Sequence, residues 1–548
     1  MAPIIDATAQ ASANSRDGVP NVKSPSIWVV TILLSAWSAA FIWNSSFVVD
    51  GERYFCLFDD AMISMTYARN LVEGFGLNWA RWGPPVEGYS NPLWTLLMVP
   101  VNLTPFALPM RSLLVQGAGL LCLIGNLWVV DRVTTSCFTT GTGRLHQPAV
   151  ILTALYYPLA YWTLMGMETG LQALLTTVAV YLSLEVGYSD DRRRTALCLV
   201  LALLLLLRPD TAPLSLACLV TAVDFRAPWR RELARWRFGL TLLTALLAAY
   251  QVFRLAYFGD WLPNTYYLKL TGTPLDVRVV RGALVFWDFL RPILLPAGVV
   301  LVGAGLLARR SPRFRLPLAA VLIQCVYSVF VGGDAWETSV VGANRFIAPV
   351  MPLLFVLLTG VLNELIDLWP ALSRRAGLRV AGTAAVVLVA ACCFDRLWFA
   401  PKAVEMRRAV FLADLPWNVS EHRTNVRDVR ILQTAVEDDA VVASVWAGIP
   451  SYFSGFRMID VLGYNDRQIA RMPAVLKLTP ATASAFIPGH SKWDWEYVLA
   501  KRPDAILRGW ALNREQRQKM FGERGYVPLI RNIWVRTDSE RVHVRRSP

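Results

Sequence analysis

Long apolar blocks, each close to the length of a bilayer crossing, recur through the first 394 residues of this 548-residue chain. A helix rises 1.5 Å per residue and a hydrocarbon core is about 30 Å thick, so about 20 apolar residues make one crossing. By that rule there are about eleven candidate spans, centred near residues 38, 120, 156, 178, 201, 218, 247, 300, 323, 357 and 386. Composition agrees. Hydrophobic residues make up 55% of the chain and charged residues 17%, against about 25% charged in soluble domains.

The loops between these blocks sort by charge. Asp190-Asp191-Arg192-Arg193-Arg194 forms one cluster, and Arg226, Arg230, Arg231, Arg235 and Arg237 a second. Arg309, Arg310, Arg313 and Arg315 form a third, and Arg374, Arg375 and Arg379 a fourth. Positive loops stay in the cytoplasm, and an alternation of about eleven spans puts all four clusters there. The formal charge of +14 is therefore read as membrane orientation. No basic face accompanies a recognisable nucleic-acid module, so no nucleic-acid partner is expected.

Residues 1–26 are polar and read as a disordered cytoplasmic segment. The block from Ile27 to Val49 lacks a small-residue cleavage site and reads as an uncleaved first span. Six of the eight cysteines lie in apolar blocks, and no spacing among them resembles a zinc site or a disulfide framework. The expected organisation is a transmembrane domain over 27–394, with a first external loop at 50–108, and an extracytoplasmic α/β domain over 395–548. In that domain Ala440–Trp446, Phe456–Leu462, Asp504–Leu507 and Val527–Val535 read as strands.

The outer face gathers acidic and aromatic residues, most densely from Phe58 to Trp94 (FDDAMISMTYARNLVEGFGLNWARWGPPVEGYSNPLW). Asp59 and Asp60 open an expected helix running to about Glu73. One aspartate there suffices as a cap. The second needs another reason, and a carboxylate at the edge of an apolar phase suits a general base. Glu87, Tyr89 and Asn91 close the loop in VEGYSNPLW, beside turns imposed by Gly88 and Pro92.

With these motifs the chain resembles the GT-C glycosyltransferases, and among them the arabinofuranosyltransferases that use decaprenyl-phosphate-arabinose on cell-wall or pilin acceptors. The match continues through RPD (Arg208–Asp210), PNTYYLK (Pro263–Lys269), GGDAWE (Gly332–Glu337), NRF (Asn344–Phe346), DVLGYND (Asp460–Asp466) and PGHSKWD (Pro488–Asp494). The resemblance implies a GT-C fold, a polyprenyl-phosphate sugar donor and a catalytic aspartate in the first loop. That role falls on Asp59, with Asp60 as its partner. The implied reaction moves a sugar, arabinofuranose by resemblance, to a hydroxyl of an extracytoplasmic glycan or protein.

Arg208, Lys269 and Arg345 are the candidates for the donor phosphate, against a plain role of snorkelling to lipid headgroups. Asp210, Asp334, Glu337, His490 and Lys492 join Glu87, Tyr89 and Asn91 as the expected substrate-binding set. A lone histidine such as His490 is more often structural than catalytic. The acidic residues also invite a divalent cation, magnesium or calcium, near the phosphate; its ligands are open, and no other cofactor is implied. A hexose transferase, a lipid-linked sugar transporter and a non-catalytic assembly subunit are the competing readings. The intact Asp59-Asp60 pair argues against the last, and the lack of matching broken repeats against transport.

Overall fold

The computed structural model describes residues 25–138, 146–186, 191–291, 294–336, 344–367 and 403–543. Helix α1 (Pro25–Ser45) leads into a hairpin of β1 (Phe47–Val49) and β2 (Glu52–Tyr54), whose turn residues Asp50 and Gly51 both have positive φ. Such a two-residue turn matches the twist of paired strands. Helices α2 (Asp59–Val72), α3 (Pro92–Leu97) and α4 (Val99–Asn102) build the first loop, expected from sequence to be external. A series of mostly apolar helices follows: α5 (Leu108–Cys137), α6 (Gln147–Leu155), α7 (Tyr157–Leu164), α8 (Thr169–Glu185), α9 (Asp191–Leu207), α10 (Ala212–Ala222) and α11 (Trp229–Phe258). After α12 (Asn264–Leu270) and α13 (Leu275–Leu290) come α14 (Leu294–Arg310), α15 (Arg315–Val331) and α16 (Met351–Asp367).

Helices lie at the expected span centres with two exceptions. The block near residue 156 is broken at Tyr156, which has an extended ψ of 87°; Pro158, at the start of α7, cannot donate into the preceding turn. The centre near 386, the boundary at 394 and the N-terminal segment through residue 24 lie outside the described residues. By length and composition, Ile27–Ser45, Leu108–Cys137, Trp229–Phe258 and Pro312–Val331 are each long and apolar enough to cross a membrane. Trp28, Ile32 and Leu33 on α1, Leu121 on α5, Val252 on α11 and Val326 on α15 stand exposed, as lipid-facing side chains do. Two glycines end helices on the site side: Gly259 (φ 73°) after α11 and Gly332 (φ 92°) after α15. Both adopt the left-handed conformation that stops a helix.

The C-terminal part carries a five-stranded sheet of order β4-β3-β5-β7-β6, from β3 (Val441–Ser444), β4 (Arg457–Asp460), β5 (Ala505–Leu507), β6 (Tyr526–Ile530) and β7 (Ile533–Arg536). Strand β3 pairs in parallel with β4 and β5, while β7 runs antiparallel to β5 and β6. The stretch Val527–Val535, read from sequence as one strand, is instead two strands of a hairpin. The polar pair Arg531-Asn532 turns the chain, and Asn532 is tied to Asp428 at 3.1 Å. An apolar core under this sheet includes Tyr67, Trp79 and Tyr89 of the first loop, so the loop and the sheet are packed as one body.

Candidate active site

Asp60 sits in the first turn of α2 and points into a small polar cleft. Its Oδ2 lies 2.8 Å from Nη1 of Arg345. Arg345 in turn reaches Asp334 Oδ1 through Nε at 3.1 Å, and its guanidinium lies over the rings of Trp162 and Phe346. Asp334 follows the Gly332-Gly333 helix stop, and its backbone oxygen accepts from Arg281 at 3.0 Å. Burial pushes the Asp60 carboxyl up, but Arg345, Lys269 and His490 outweigh it and hold it below the usual carboxylate range. The two carboxylates flanking Arg345 hold that guanidinium firmly protonated despite its burial.

A second ion cluster forms the opposite wall. Arg208, next to helix-breaking Pro209, pairs with Glu168 at 3.0 Å and with Asp210 at 2.8 Å. The other oxygen of Glu168 accepts from Asn91 Nδ2 at 2.8 Å, and Asn91 Oδ1 accepts from Ser64 at 3.0 Å. Lys269, on α12, completes the cleft lining with Tyr89, Thr265 and Tyr464. Its amine lies over the Tyr464 ring. Burial, followed by the neighbouring guanidinium of Arg345, brings it down to about 8. Arg208, Lys269 and Arg345 thus converge on one cleft with Asp60, Tyr89 and Asn91.

Other expected residues are placed elsewhere. Asp59 is turned away from the cleft and accepts the backbone amides of Gly448 and Ile449 at 3.1 and 2.7 Å. Neither aspartate caps its own helix; Asp59 instead fastens α2 to the C-terminal part. Burial, reinforced by the charge of Asp60, raises its carboxyl to about 7. The expectation that gave Asp59 the base position, with Asp60 beside it, meets a geometry in which Asp60 alone of the two lines the cleft.

Glu87 is buried against Arg254 (2.6 Å) and Tyr250 (2.6 Å) on α11, so it anchors its loop and does not line the Asp60 cleft. Lys492 donates to the backbone oxygens of Tyr267 and Ala470 at 2.9 and 2.6 Å and likewise ties elements together. His490 is enclosed by Trp336, Tyr464 and Trp510, and burial lowers its affinity for a proton. Asp210 and Asp334 act through Arg208 and Arg345. Glu337 lies outside the described residues.

Sequence reasoning assigned no role to Glu168, Ser64, Thr265 or Tyr464. Nothing in the local sequence tells that Glu168 meets Arg208 across 40 positions. The carboxylates of the cleft face guanidinium groups rather than one another. Among the described residues, no group of three or more His, Cys, Asp or Glu side chains is placed to hold a metal. The described carboxylates of the cleft, each paired with a guanidinium, do not form a set that fits a divalent cation.

Comparison with known proteins bears on the whole arrangement. A family model described as a domain of unknown function (DUF8728) matches residues 417–542. Over 288 residues the chain is 28% identical to the terminal β-(1→2)-arabinofuranosyltransferase of Mycobacterium tuberculosis, covering 48% of this chain and 43% of that protein. The match thus spans less than half the length of this relative. ArnT from Cupriavidus metallidurans in the apo state superposes with a TM-score of 0.51 at 12% identity, covering 93% of this chain and 97% of ArnT. The same protein bound to undecaprenyl phosphate gives a TM-score of 0.50 at 13% identity, covering 98% and 100%. That likeness is one of fold. The resemblance read in the motifs, to GT-C glycosyltransferases and to arabinofuranosyltransferases among them, is met by a sequence relative and by a fold neighbour alike.

Proposed function

We propose that this chain, a polytopic membrane protein with the GT-C fold, transfers a sugar from a polyprenyl-phosphate donor to a hydroxyl of an acceptor outside the cytoplasmic membrane. Arabinofuranose is the sugar that the Mycobacterium tuberculosis relative supports. The observation that carries the reading is the convergence of Arg208, Lys269 and Arg345 on Asp60 in one cleft, beside helices that expose apolar side chains. Guanidinium groups bind phosphate through paired hydrogen bonds, and lysine adds a point charge. The ArnT neighbour was solved with undecaprenyl phosphate, which supports a lipid-phosphate donor. The arginine-rich loops placed inside by the positive-inside rule support an outward-facing cleft.

The chemistry then follows from charge. Arg345 neutralises Asp60. A donor phosphate competes for that guanidinium, and Asp60 becomes a stronger base as its partner is drawn away. The acceptor oxygen attacks the anomeric carbon, so a new C–O bond forms while the bond to the phosphate oxygen breaks. The acceptor proton passes to Asp60, and polyprenyl phosphate leaves with the electron pair, its charge held by Arg208, Lys269 and Arg345. Asp334 and Glu168 keep the two guanidinium groups in position.

The test is turnover by purified protein in detergent with synthetic polyprenyl-phosphate-arabinose, comparing wild type with Asp60→Asn. Consumption by wild type and loss in a folded, donor-binding variant is the expected result. A hexose donor consumed in place of arabinose would correct the sugar alone. No consumption of either donor would leave transport or assembly as the better account.

A further inference from the structure

Helix α13 turns a narrow stripe inward, and that stripe carries two arginines one turn apart. Val277, Arg278, Arg281 and Gly282 are its buried residues, spaced as one face of a helix. Gly282 lies against the backbone of Val329, where a Cβ would have no room, so the stripe is pressed onto the last turn of α15. The two arginines then differ. Arg281 donates to the backbone oxygens of Gly332 and Asp334. Arg278 is only 8% exposed, yet among the described residues its guanidinium has no hydrogen bond and no ion pair. Its Nε and Nη1 are both buried without a partner. Among the described residues, Tyr266 is the one titratable group that acts on its charge, and the centre of the Phe330 ring lies 5.3 Å away.

A charge held away from water without a partner is strongly disfavoured. The last turn of α15 offers Arg278 the negative end of its dipole, which leaves the N–H groups without acceptors. An arginine that only reaches for the headgroup region keeps its head in water at the end of an apolar stem. Here the head itself is buried. The group calls for an anion that the described chain does not supply.

The rim of the place is apolar. Phe330 and Tyr266 beside the guanidinium are exposed, as are Leu275 and Val279 on the same turns of α13. Free phosphate gains nothing from such a rim, whereas the phosphate of a lipid brings an apolar chain with it. A tyrosine suits the headgroup level. Arg278 does not line the Asp60 cleft, but two elements join the places. Helix α12 sends Thr265 and Lys269 into the cleft and leaves Tyr266 outside. Arg281 holds Asp334, and Asp334 holds Arg345.

We infer that Arg278 binds the phosphate of a membrane lipid at a second site, outside the Asp60 cleft and on the lipid-facing side of α12 and α13. The guanidinium gives the phosphate paired, charge-assisted hydrogen bonds, and the exposed rim takes the start of its chain. The inference does not rest on the transferase reading. Two lipids share this chemistry, an anionic phospholipid and a polyprenyl phosphate, and the test separates them.

Two variants probe the site from different sides. Arg278→Met removes the guanidinium, keeps an apolar stem and breaks no bond within the chain. Phe330→Glu leaves Arg278 in place and sets a carboxylate beside it, which competes with the lipid. Full-length protein, stripped of lipid in detergent, is titrated by native mass spectrometry with phosphatidylglycerol, with polyprenyl phosphate and with inorganic phosphate. Polyprenyl phosphate also has the Asp60 cleft to fill, so its arm reads the second equivalent bound. The expected result is that one of the two lipids binds wild type and binds each variant at least about tenfold more weakly. Which lipid responds identifies the source. Lipid-free Arg278→Met should melt no lower than wild type, since it loses no internal partner. Lipid binding retained by either variant, or inorganic phosphate bound as tightly as the lipids, overturns the inference. So does a lipid-free Arg278→Met protein that melts well below wild type, which would assign the arginine a role within the fold.

Discussion

The carboxylates of two adjacent residues part at the start of α2. Asp60 Oδ2 lies 2.8 Å from Arg345 Nη1, whereas Asp59 Oδ1 accepts the amide of Ile449 at 2.7 Å. One faces a cluster of cations, the other a backbone turn of the C-terminal part. Replacing Asp60 by Asn keeps its shape and removes the proposed base, so turnover should fall by about 10²–10⁴-fold, the usual contribution of general base catalysis. Donor binding is retained, because all three cations remain. Asp59→Asn loses docking strength and melts earlier at acidic pH, yet keeps a larger share of turnover per folded molecule than Asp60→Asn does. Equal turnover losses in the two variants, at equal folding, would contradict this division.

Asp59 also gives a pH signature. Its carboxyl is raised to about 7 in the folded protein by burial first, against about 3.9 in an unfolded chain. The folded state therefore holds a proton that the unfolded state releases between these values. The stability it contributes is fully present below about pH 4 and is lost as pH rises through about 7. Melting temperatures of wild type minus Asp59→Asn, measured in detergent from pH 5 to 8.5, should decline across that window. A difference that is flat or rises with pH would refute the assignment.

The division between these neighbours also shows what a sequence can and cannot disclose. Apolar length is a local property, so the helices were legible, and the Asp59-Asp60 motif marked the turn that carries Asp60 into the cleft. Which carboxylate turns inward depends on Gly448 and Ile449, nearly 390 positions away. Glu87 and Lys492, read as substrate-binding, are paired elsewhere and do not line the Asp60 cleft. A polar group near an apolar phase needs a partner, and theirs are Arg254 and the carbonyls of Tyr267 and Ala470. Arg208 and Arg345, by contrast, sit at helix ends beside breaks in the chain, at Pro209 and after Gly332-Gly333, where irregular backbone turns charged groups toward a cavity.

If Lys269 holds the donor phosphate as proposed, donor binding depends on pH. Its amine is lowered to about 8 by burial and then by the neighbouring Arg345, so it is charged below that value and neutral above it. A bound phosphate restores the proton, and binding above pH 8 must take one up. Donor affinity measured by calorimetry should be level from pH 6.5 to 7.5 and weaken above 8, by at most roughly tenfold per pH unit for a single proton. Lys269→Met should bind more weakly at pH 7 and lose that slope. A slope kept by the variant would assign the proton to another group.

The pair formed by Glu87 and Arg254 supplies a stability test that is separate from catalysis. Both side chains are buried, at 1% and 8% exposure, with Nε and Oε2 2.6 Å apart, and Tyr250 adds a hydrogen bond at 2.6 Å. Burial raises the Glu87 carboxyl, while Arg254 and Tyr250 oppose the rise. Removing one partner of a buried ion pair leaves the other charge without compensation, at a cost of about 3–5 kcal/mol. Glu87→Ala should therefore lower stability by that order, and Glu87→Gln, which keeps an acceptor for Tyr250 and Arg254, by clearly less. Pairing Glu87→Leu with Arg254→Met should recover much of the loss, since an apolar pair of similar volume carries no desolvation penalty. Turnover per folded molecule should change little along the series, because Glu87 holds the Val86–Asn91 segment from behind and does not line the Asp60 cleft. A tenfold or larger loss of turnover in a fully folded Glu87→Gln protein would instead place this carboxylate in the chemistry.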